Sequence, residues 1–322
     1  MRSLFARPLG RLVVSLGSGG RRWRVLAPCL VLCVAGGLAS AGDAGGGQYS
    51  AYSDTKKPVL SFLLSEKENV RDFRETFGLD DRETEEALSI VRAENERLAG
   101  EYAESEKLVD ANRSLPEEEI SGKIAASDYD ETVASAVKET KDEIAALLPE
   151  AERDRLAAWV DERWREEVAE ASEVDSGRVV EATATGGRTL VCDRIFATQY
   201  KGYTRFEAAL PHWVPKFGNR PEVPIKRGKR SIRPRVKEVG PWNTHDNYWR
   251  KGKNRAMWKN LPRCKPEAQA AYYSNYNRGK DEFGREVLNP AGVDLTPRAA
   301  RRLGLDRYQN AWVAVRFPWV RR

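Results

Sequence analysis

Asp294 stands in the stretch NPAGVDLTPRAARRLGL, between Val293 and Leu295 and just upstream of a helix start. In an extended strand, successive side chains point to opposite faces. Val293 and Leu295 can therefore anchor into a core while the carboxylate emerges into a groove, where it can exchange a proton with a ligand. The same group can instead brace the chain by accepting backbone amides near the helix start. The two histidines are His212, in ALPHWV, and His245, which stands beside Asp246 in THD. Adjacent residues rarely point to one place, so His245 and Asp246 read first as a polar loop pair and His212 as packed or solvent-facing. Trp242, Tyr248, Trp249 and Trp258 crowd the same region, either as core or as flat faces for stacking on a ring-bearing ligand.

The elements that must position these residues differ along the chain. GRVVEATATGG, RTLVCDRIFATQY, RPRVKEVGPW and NAWVAVRFPWV are β-branched and aromatic runs between Gly and Pro breaks, which predicts strands. One helix is clear among them, TPRAARRLGL, with Thr296 as N-cap, Pro297 at the first helical position and Gly304 to end it. Residues from about 58 to 175 read as helical. Asp80 with Glu83, and Ser114 with Glu117, have the spacing of capping boxes. Leu88, Val91, Leu98 and Tyr102 mark one apolar face, Val133, Val137 and Ile144 a second, and Leu156, Val160 and Trp164 a third. The expected fold class is α+β in two regions: an acidic helical bundle or hairpin over 58–176, then a mainly β domain over 177–322. The uninterrupted strand and turn signals predict that 177–322 folds alone.

Charge separates the regions further. The helical region carries about twice as many acids as bases at helical spacing, reads as a solvated surface, and has no Glu-x-x-His pattern. No chemistry is expected of it, and neither a metal nor a cofactor is expected anywhere. The β region inverts the balance, with 31 bases against 12 acids. Such a surface needs an anionic or ring-bearing partner, and nucleic acid would suit it in a cytosolic protein. The N-terminus argues for export. Six arginines in the first 24 residues precede VLAPCLVLCVAGGL, an apolar run of 14 residues, and then Ala39-Ser40-Ala41. That run is short of the ~20 residues that span a bilayer. Residues 1–41 are thus expected as a signal peptide and 42–57 as a flexible linker. An exported, envelope-associated protein would meet a cell-wall polysaccharide and its acidic polymers, not nucleic acid, and its acidic helices would be free to dock another envelope protein. Cys192 and Cys264 remain after the signal, as one disulfide or as two buried free thiols. KRGKR at Lys226 to Arg230 reads as a solvated loop or as a polyanion contact.

VDLTPRAARRLGL, preceded by FATQY and VKEVGPWN, resembles the double-psi β-barrel domain of the rare lipoprotein A family, relatives of expansins and of certain lytic transglycosylases. The resemblance covers roughly 177–322 and implies a six-stranded double-psi β-barrel. It implies that Asp294 is the general acid or its structural counterpart, and that Thr198 and Tyr200 line a sugar groove. Glu238, before the Gly240-Pro241-Trp242 turn, is implied as a second acid or as a brace of that turn. Trp242, His245, Asp246, Tyr248 and Trp249 complete the expected substrate-binding set. Two features depart from the family pattern. About 45 residues separate the Gly-Pro turn from the aspartate strand, with an insertion at about 250–286 that can cover the groove or build a new one. Gly202 stands where related endoglucanases place a second aspartate. With one secure acid, the implied activity is of the lytic transglycosylase type on peptidoglycan, in which the sugar's own C6 hydroxyl attacks. A non-catalytic, expansin-like wall-binding module is the alternative.

Overall fold

The computed structural model describes residues 50–173, 182–184, 187–200, 206–213, 221–307 and 309–321. The expected signal peptide, residues 42–49 of the expected linker and the expected boundary at 176/177 lie outside the described residues, as does Gly202. The protein is α+β: a layer of helices packs on a mixed β-sheet.

Six helices come first: α1 (Val59–Leu63), α2 (Lys67–Phe77), α3 (Asp81–Ala111), α4 (Glu117–Ala125), α5 (Tyr129–Leu147) and α6 (Glu150–Glu173). Asp80 caps α3 as its spacing requires: its side chain accepts from Glu83 N at 2.7 Å, and Asp80 N donates to Glu83 Oε2 at 2.9 Å. Ser114 does not cap α4. That helix begins after Pro116, whose fixed φ suits a helix start, and it has no side-chain cap. Val91, Leu98, Val133, Val137, Ile144, Leu156, Val160 and Trp164 are all buried. Residues 50–57, expected as linker, are pinned instead. Tyr52 N donates to Asp161 Oδ1 at 2.9 Å, and Lys57 Nζ donates to Tyr272 O at 2.8 Å.

The sheet has eight labelled strands where six were expected: β1 (Ala182–Ala184), β2 (Gly187–Gln199), β3 (Glu207–Leu210), β4 (Ile225–Arg227), β5 (Arg230–Ile232), β6 (Arg235–Val239), β7 (Ala291–Leu295) and β8 (Ala311–Arg321). Their order is β5-β4-β8-β2-β7-β3-β6, with β1 paired to β2. The pairs β2/β7 and β3/β6 are parallel, and the others are antiparallel. The extra strands arise from the short β1 and from a break at Arg233-Pro234, since proline cannot donate to a ladder. β5 and β6 stand at opposite ends of the order yet only these two residues separate them, a reach of about 10 Å. A flat sheet of seven strands would hold its edges almost 30 Å apart, so this one curls.

Two of the sheet's register shifts bear on the site. Gly292 is an extra residue of β7 opposite the Phe196/Ala197 step of β2, and Lys237 is an extra residue of β6 opposite the Ala208/Ala209 step. A Cβ at Gly292 would fall 2.5 Å from Pro266 Cγ and 2.7 Å from Ile195 Cγ2, so only glycine allows this close approach.

The sheet and the helices do not keep separate cores. Phe196, Trp242, Ala291 and residues of helix α7 (Glu267–Ser274) cluster with Phe62, Leu98, Val133 and Trp164 from the helical layer. Phe62 lies 5.3 Å from both Phe196 and Tyr272. Residues 48–322 accordingly form one compact unit. Inside the curl, Ala197, Ala208, Leu210, Val236, Val293, Leu295, Val315 and Phe317 form a second cluster against helix α8 (Pro297–Arg302). Thr296 precedes α8 but does not cap it, because its hydroxyl is engaged with Glu207 N and O at 3.2 Å.

The insertion joins the layers. Arg285 is fully buried and binds Asp281 at 2.7 Å, Glu106 of α3 at 2.5 Å and the carbonyl of Trp242 at 2.7 Å. Its guanidinium lies 4.6 Å from the centre of the Tyr102 ring. A disulfide between Cys192 and Cys264 ties the insertion to β2. Closing a loop with a sequence separation of 72 stabilises by about 4 kcal/mol on a chain-entropy account.

Two outcomes are expected. A chain cut to 177–322 exposes the faces of Phe196, Trp242 and Tyr272, so thermal circular dichroism should show no cooperative melt where 50–322 melts in one step; a sharp transition in the fragment would overturn the shared-core account. Arg285→Met strands the buried Asp281 carboxylate and unpairs the partly buried Glu106, and should cost about 3–5 kcal/mol in urea denaturation.

Candidate functional site

The register of four neighbouring strands places Thr198, Asp294, Ala209 and Glu238 in one row across β2, β7, β3 and β6. Residues paired in register share a face of the sheet. Val293 and Leu295 point into the curl, as alternation requires, and Asp294 points out. Glu238 joins that face because the bulge at Lys237 resets the alternation after Val236. Ala209 between the two acids leaves a shallow gap, their Cα atoms lying two strand spacings, or about 10 Å, apart.

Asp294 is half-buried, and Thr198 Oγ1 donates to its Oδ1. Burial pushes its pKa up to about 6, the Thr198 bond opposes the shift, and Glu106 of α3 adds to it. Among the described residues no backbone amide binds this carboxylate, so it is not a brace for α8. Tyr200 N donates to Leu295 O at 3.2 Å, while its buried Oη has no partner among the described residues. Burial, then Asp294, Glu238 and Glu207, push its phenol up, so it stays a neutral donor beside the row.

Other residues expected to bind ligand are committed elsewhere. Trp242, Tyr248 and Trp249 are buried. Trp242 packs on Tyr102 at 4.9 Å, and Trp249 stacks on Phe317 at 4.9 Å. Tyr248 donates to Gly292 O at 3.0 Å. These three belong to the cores, not to a ligand surface. Asp246 is buried too, bound by Arg255 at 2.6 Å and by Glu267 N at 2.6 Å, where it holds the start of α7.

His245 parts from Asp246 and pairs with Glu282, its Nδ1 lying 3.3 Å from Oε1. The buried Glu282 carboxylate also accepts from Thr244 N at 2.8 Å, from the Thr244 hydroxyl and from His245 N at 3.1 Å. A carboxylate can only accept, so Nδ1 carries hydrogen and Nε2 is left as the acceptor of the neutral ring. His212 bridges to His245 across a backbone ladder and packs on Trp249.

The helical region, expected to carry no chemistry, supplies Tyr102 and Glu106 at the edge of the row. Both act electrostatically with Asp294. Phe196 and Ala291, one step back on the same outward face, are already under the helical layer. No motif marks Glu106, which only the Arg285 contact brings to the sheet. Among the described residues no group of three or more His, Cys, Asp or Glu is placed to hold a metal ion.

Residues 178–316 match a family described as a domain of unknown function, DUF8814. The match spans the sheet and the insertion and leaves out the six leading helices. No curated protein and no solved structure matches the chain.

The two imidazoles give a direct test by proton NMR. The Glu282 hydrogen bond raises the His245 pKa against its burial, with help from Glu117 and opposition from Arg113. Burial, then His245, lower His212 to about 4. His245 should therefore titrate above, and His212 well below, the usual ~6.5. By linkage, the His245 pair favours folding below about 6.5 and fades as pH rises through its raised value, while His212 opposes folding as pH falls from about 6.5 towards 4. Glu282→Gln should bring the upper titration down; two coincident titrations near 6.5 would rule out this arrangement.

Proposed function

We propose that the protein is an exported wall-glycan protein whose curled sheet is a barrel of the double-psi type and whose Asp294 acts as a general acid on peptidoglycan strands. The observation that carries this reading is Asp294 itself: an outward, half-buried carboxyl with a pKa near 6, held by Thr198 in a row with Glu238 and beside the neutral Tyr200. An acid of that strength keeps a useful protonated fraction at mildly acidic to neutral pH.

The barrel reading rests on register. Ile225 pairs with Ile232, and the bridge Glu222 to Arg235 continues the same hairpin onto β6. Counting 221–227 and 230–239 as one track each, together with β2, β3, β7 and β8, makes six tracks, and the hairpin closes the ring. Two parallel pairs, β2/β7 and β3/β6, interrupt the antiparallel order.

In the reaction, Asp294 gives its proton to the glycosidic oxygen as the bond to the anomeric carbon breaks. The C6 hydroxyl oxygen of the same sugar closes on that carbon, and its proton returns to the Asp294 carboxylate. No water is consumed, and the products are a 1,6-anhydro end and a free hydroxyl end. Intramolecular attack lowers the entropic cost of the step. Export and envelope location follow from the N-terminal pattern, and among the described residues no helix is long and apolar enough to cross a membrane. Acidic wall polymers would meet the exposed β4–β5 hairpin, where Lys226, Arg227, Lys229 and Arg230 point to solvent. The acidic helices could dock an envelope partner only through their outer faces, since the inner ones are occupied.

Non-catalytic, expansin-like wall binding is the competing reading. The observation in its favour is that Glu106 is spent on Arg285, which leaves Asp294 with Glu238 about 10 Å away as its row partner.

Asp294→Asn should cut release of anhydro-ended fragments from purified peptidoglycan by about 10²- to 10⁴-fold in mass spectrometry, with Glu238→Gln as the control for the second acid. Its stability should move the other way. A carboxyl whose folded pKa is raised favours folding below its unfolded value of ~3.9, and that advantage is lost as pH rises through about 6. Above pH 6 the asparagine variant should therefore melt no lower than wild type. Equal fragment release by both proteins would remove Asp294 from the mechanism; release by neither, with wall binding intact, would favour the expansin-like reading. Lys226→Ala/Lys229→Ala should weaken sedimentation with wall material at low salt and matter little at high salt, where exposed charges are screened within about 3 Å at 1 M.

A further inference from the structure

We infer that Trp213, His245 and Glu282 form a second sugar subsite, which takes the uncharged pyranose ring of a glycan strand at a distance from Asp294. The inference deepens the wall-glycan reading above and rests on it for the identity of the strand.

Placement comes from strand pairing. Along β3 and its continuation, Ala209 stands in the Asp294 row, and His212, three residues on, bridges to His245. His212 N donates to Leu210 O at 2.7 Å, so the chain turns at Pro211 and these three residues span less than the ~10 Å of an extended run. The second site therefore lies just beyond the end of β3, near the row that holds Asp294.

The chemistry of the second site suits a sugar ring. Trp213 is 43 % exposed, the large apolar side chain most open to solvent among the described residues. Its indole lies nearly parallel to the His212 ring, at 10° and 5.9 Å, and His212 packs edge-on against the buried Trp249. Trp213 N donates to Thr244 O at 3.1 Å. The indole is thus held from behind, and little side-chain freedom remains to be lost when a ring stacks on it. The His245 side chain is 44 % exposed and Glu282 is fully buried. With Nδ1 held by Glu282, Nε2 is the ring nitrogen left for a hydroxyl, accepting from it in the neutral ring and donating to it in the protonated one. A pyranose offers this pair an apolar C–H face and a rim of hydroxyls. Phosphate or a carboxylate gains little here, because Glu282 and Glu117 outnumber Arg113 around the imidazole.

The test uses the folded chain and chitotetraose, a soluble β-1,4-linked N-acetylglucosamine tetramer. Trp213→Ala and His245→Gln should each weaken its binding in isothermal titration calorimetry roughly tenfold, with a cooperative melt retained. If wild type binds the tetramer through Trp213 and His245 but releases no peptidoglycan fragments, the subsite stands and the cleavage reading falls. If fragments are released while both variants bind and cleave like wild type, the subsite falls and the cleavage reading stands. Failure of wild type to bind chitotetraose also overturns the subsite. Glu282→Gln gives a readout that a merely structural carboxylate would not move: with the fold retained, tetramer affinity should fall together with the pH at which His245 titrates.

Discussion

A single buried guanidinium, that of Arg285, holds the two halves of this protein together. It satisfies Asp281 within the insertion, Glu106 on α3 and the carbonyl of Trp242 at the Gly-Pro turn, and it lies over the Tyr102 ring. Moving a charge of this kind out of water is costly, and an arginine can be buried only because its planar donors reach several acceptors at once. Each acceptor sits on a different part of the chain. Satisfying the charge therefore fixes the insertion, the turn and the longest helix relative to one another. The apolar cluster around Phe62, Phe196, Tyr272 and Trp242 then closes without a gap between layers. At Gly284, a Cβ would fall 2.2 Å from Ser121 Oγ of α4, so the insertion presses against the helices as closely as glycine permits.

The same constraint shapes the site. Because α3 is drawn to the sheet by Arg285, Glu106 and Tyr102 stand at the edge of the row that holds Asp294, whose proton affinity is raised by burial and then by Glu106. The bulges act on the other side. Lys237 turns Glu238 to the outward face, and Gly292 lets β7 approach β2 closely enough for Thr198 to reach Asp294. The residues that were the most conspicuous ligand candidates by type, Trp242, Tyr248 and Trp249, were drawn into the cores because large rings gain most from burial. Trp213, beside them in space, was left at the surface.

Much of the fold is legible in local sequence. The three apolar faces of the helical region, the Asp80/Glu83 cap, three of the four strand runs, the described Ala182–Ala184 part of the fourth and the short helix at Pro297 are all present, because period and capping are properties of residues a few positions apart. The outward turn of Asp294 is equally legible from its apolar neighbours. The failures share a cause. Ser114 looks like a cap until Pro116 intervenes, and six strands become eight labelled ones where proline and a short hairpin break the ladder.

By itself the sequence determined the α+β class, the charge contrast between its regions, the exposure of Asp294 to one face, and the two cysteines available to pair. Only tertiary structure decided that Cys192 and Cys264 do pair, that His245 answers to Glu282 and not to Asp246, and that Glu106 from a chemically silent helix stands near Asp294. Those outcomes depend on strand register and on how buried charges find partners across more than a hundred residues. A change of one residue in register reverses the face a side chain takes, and no local pattern records it.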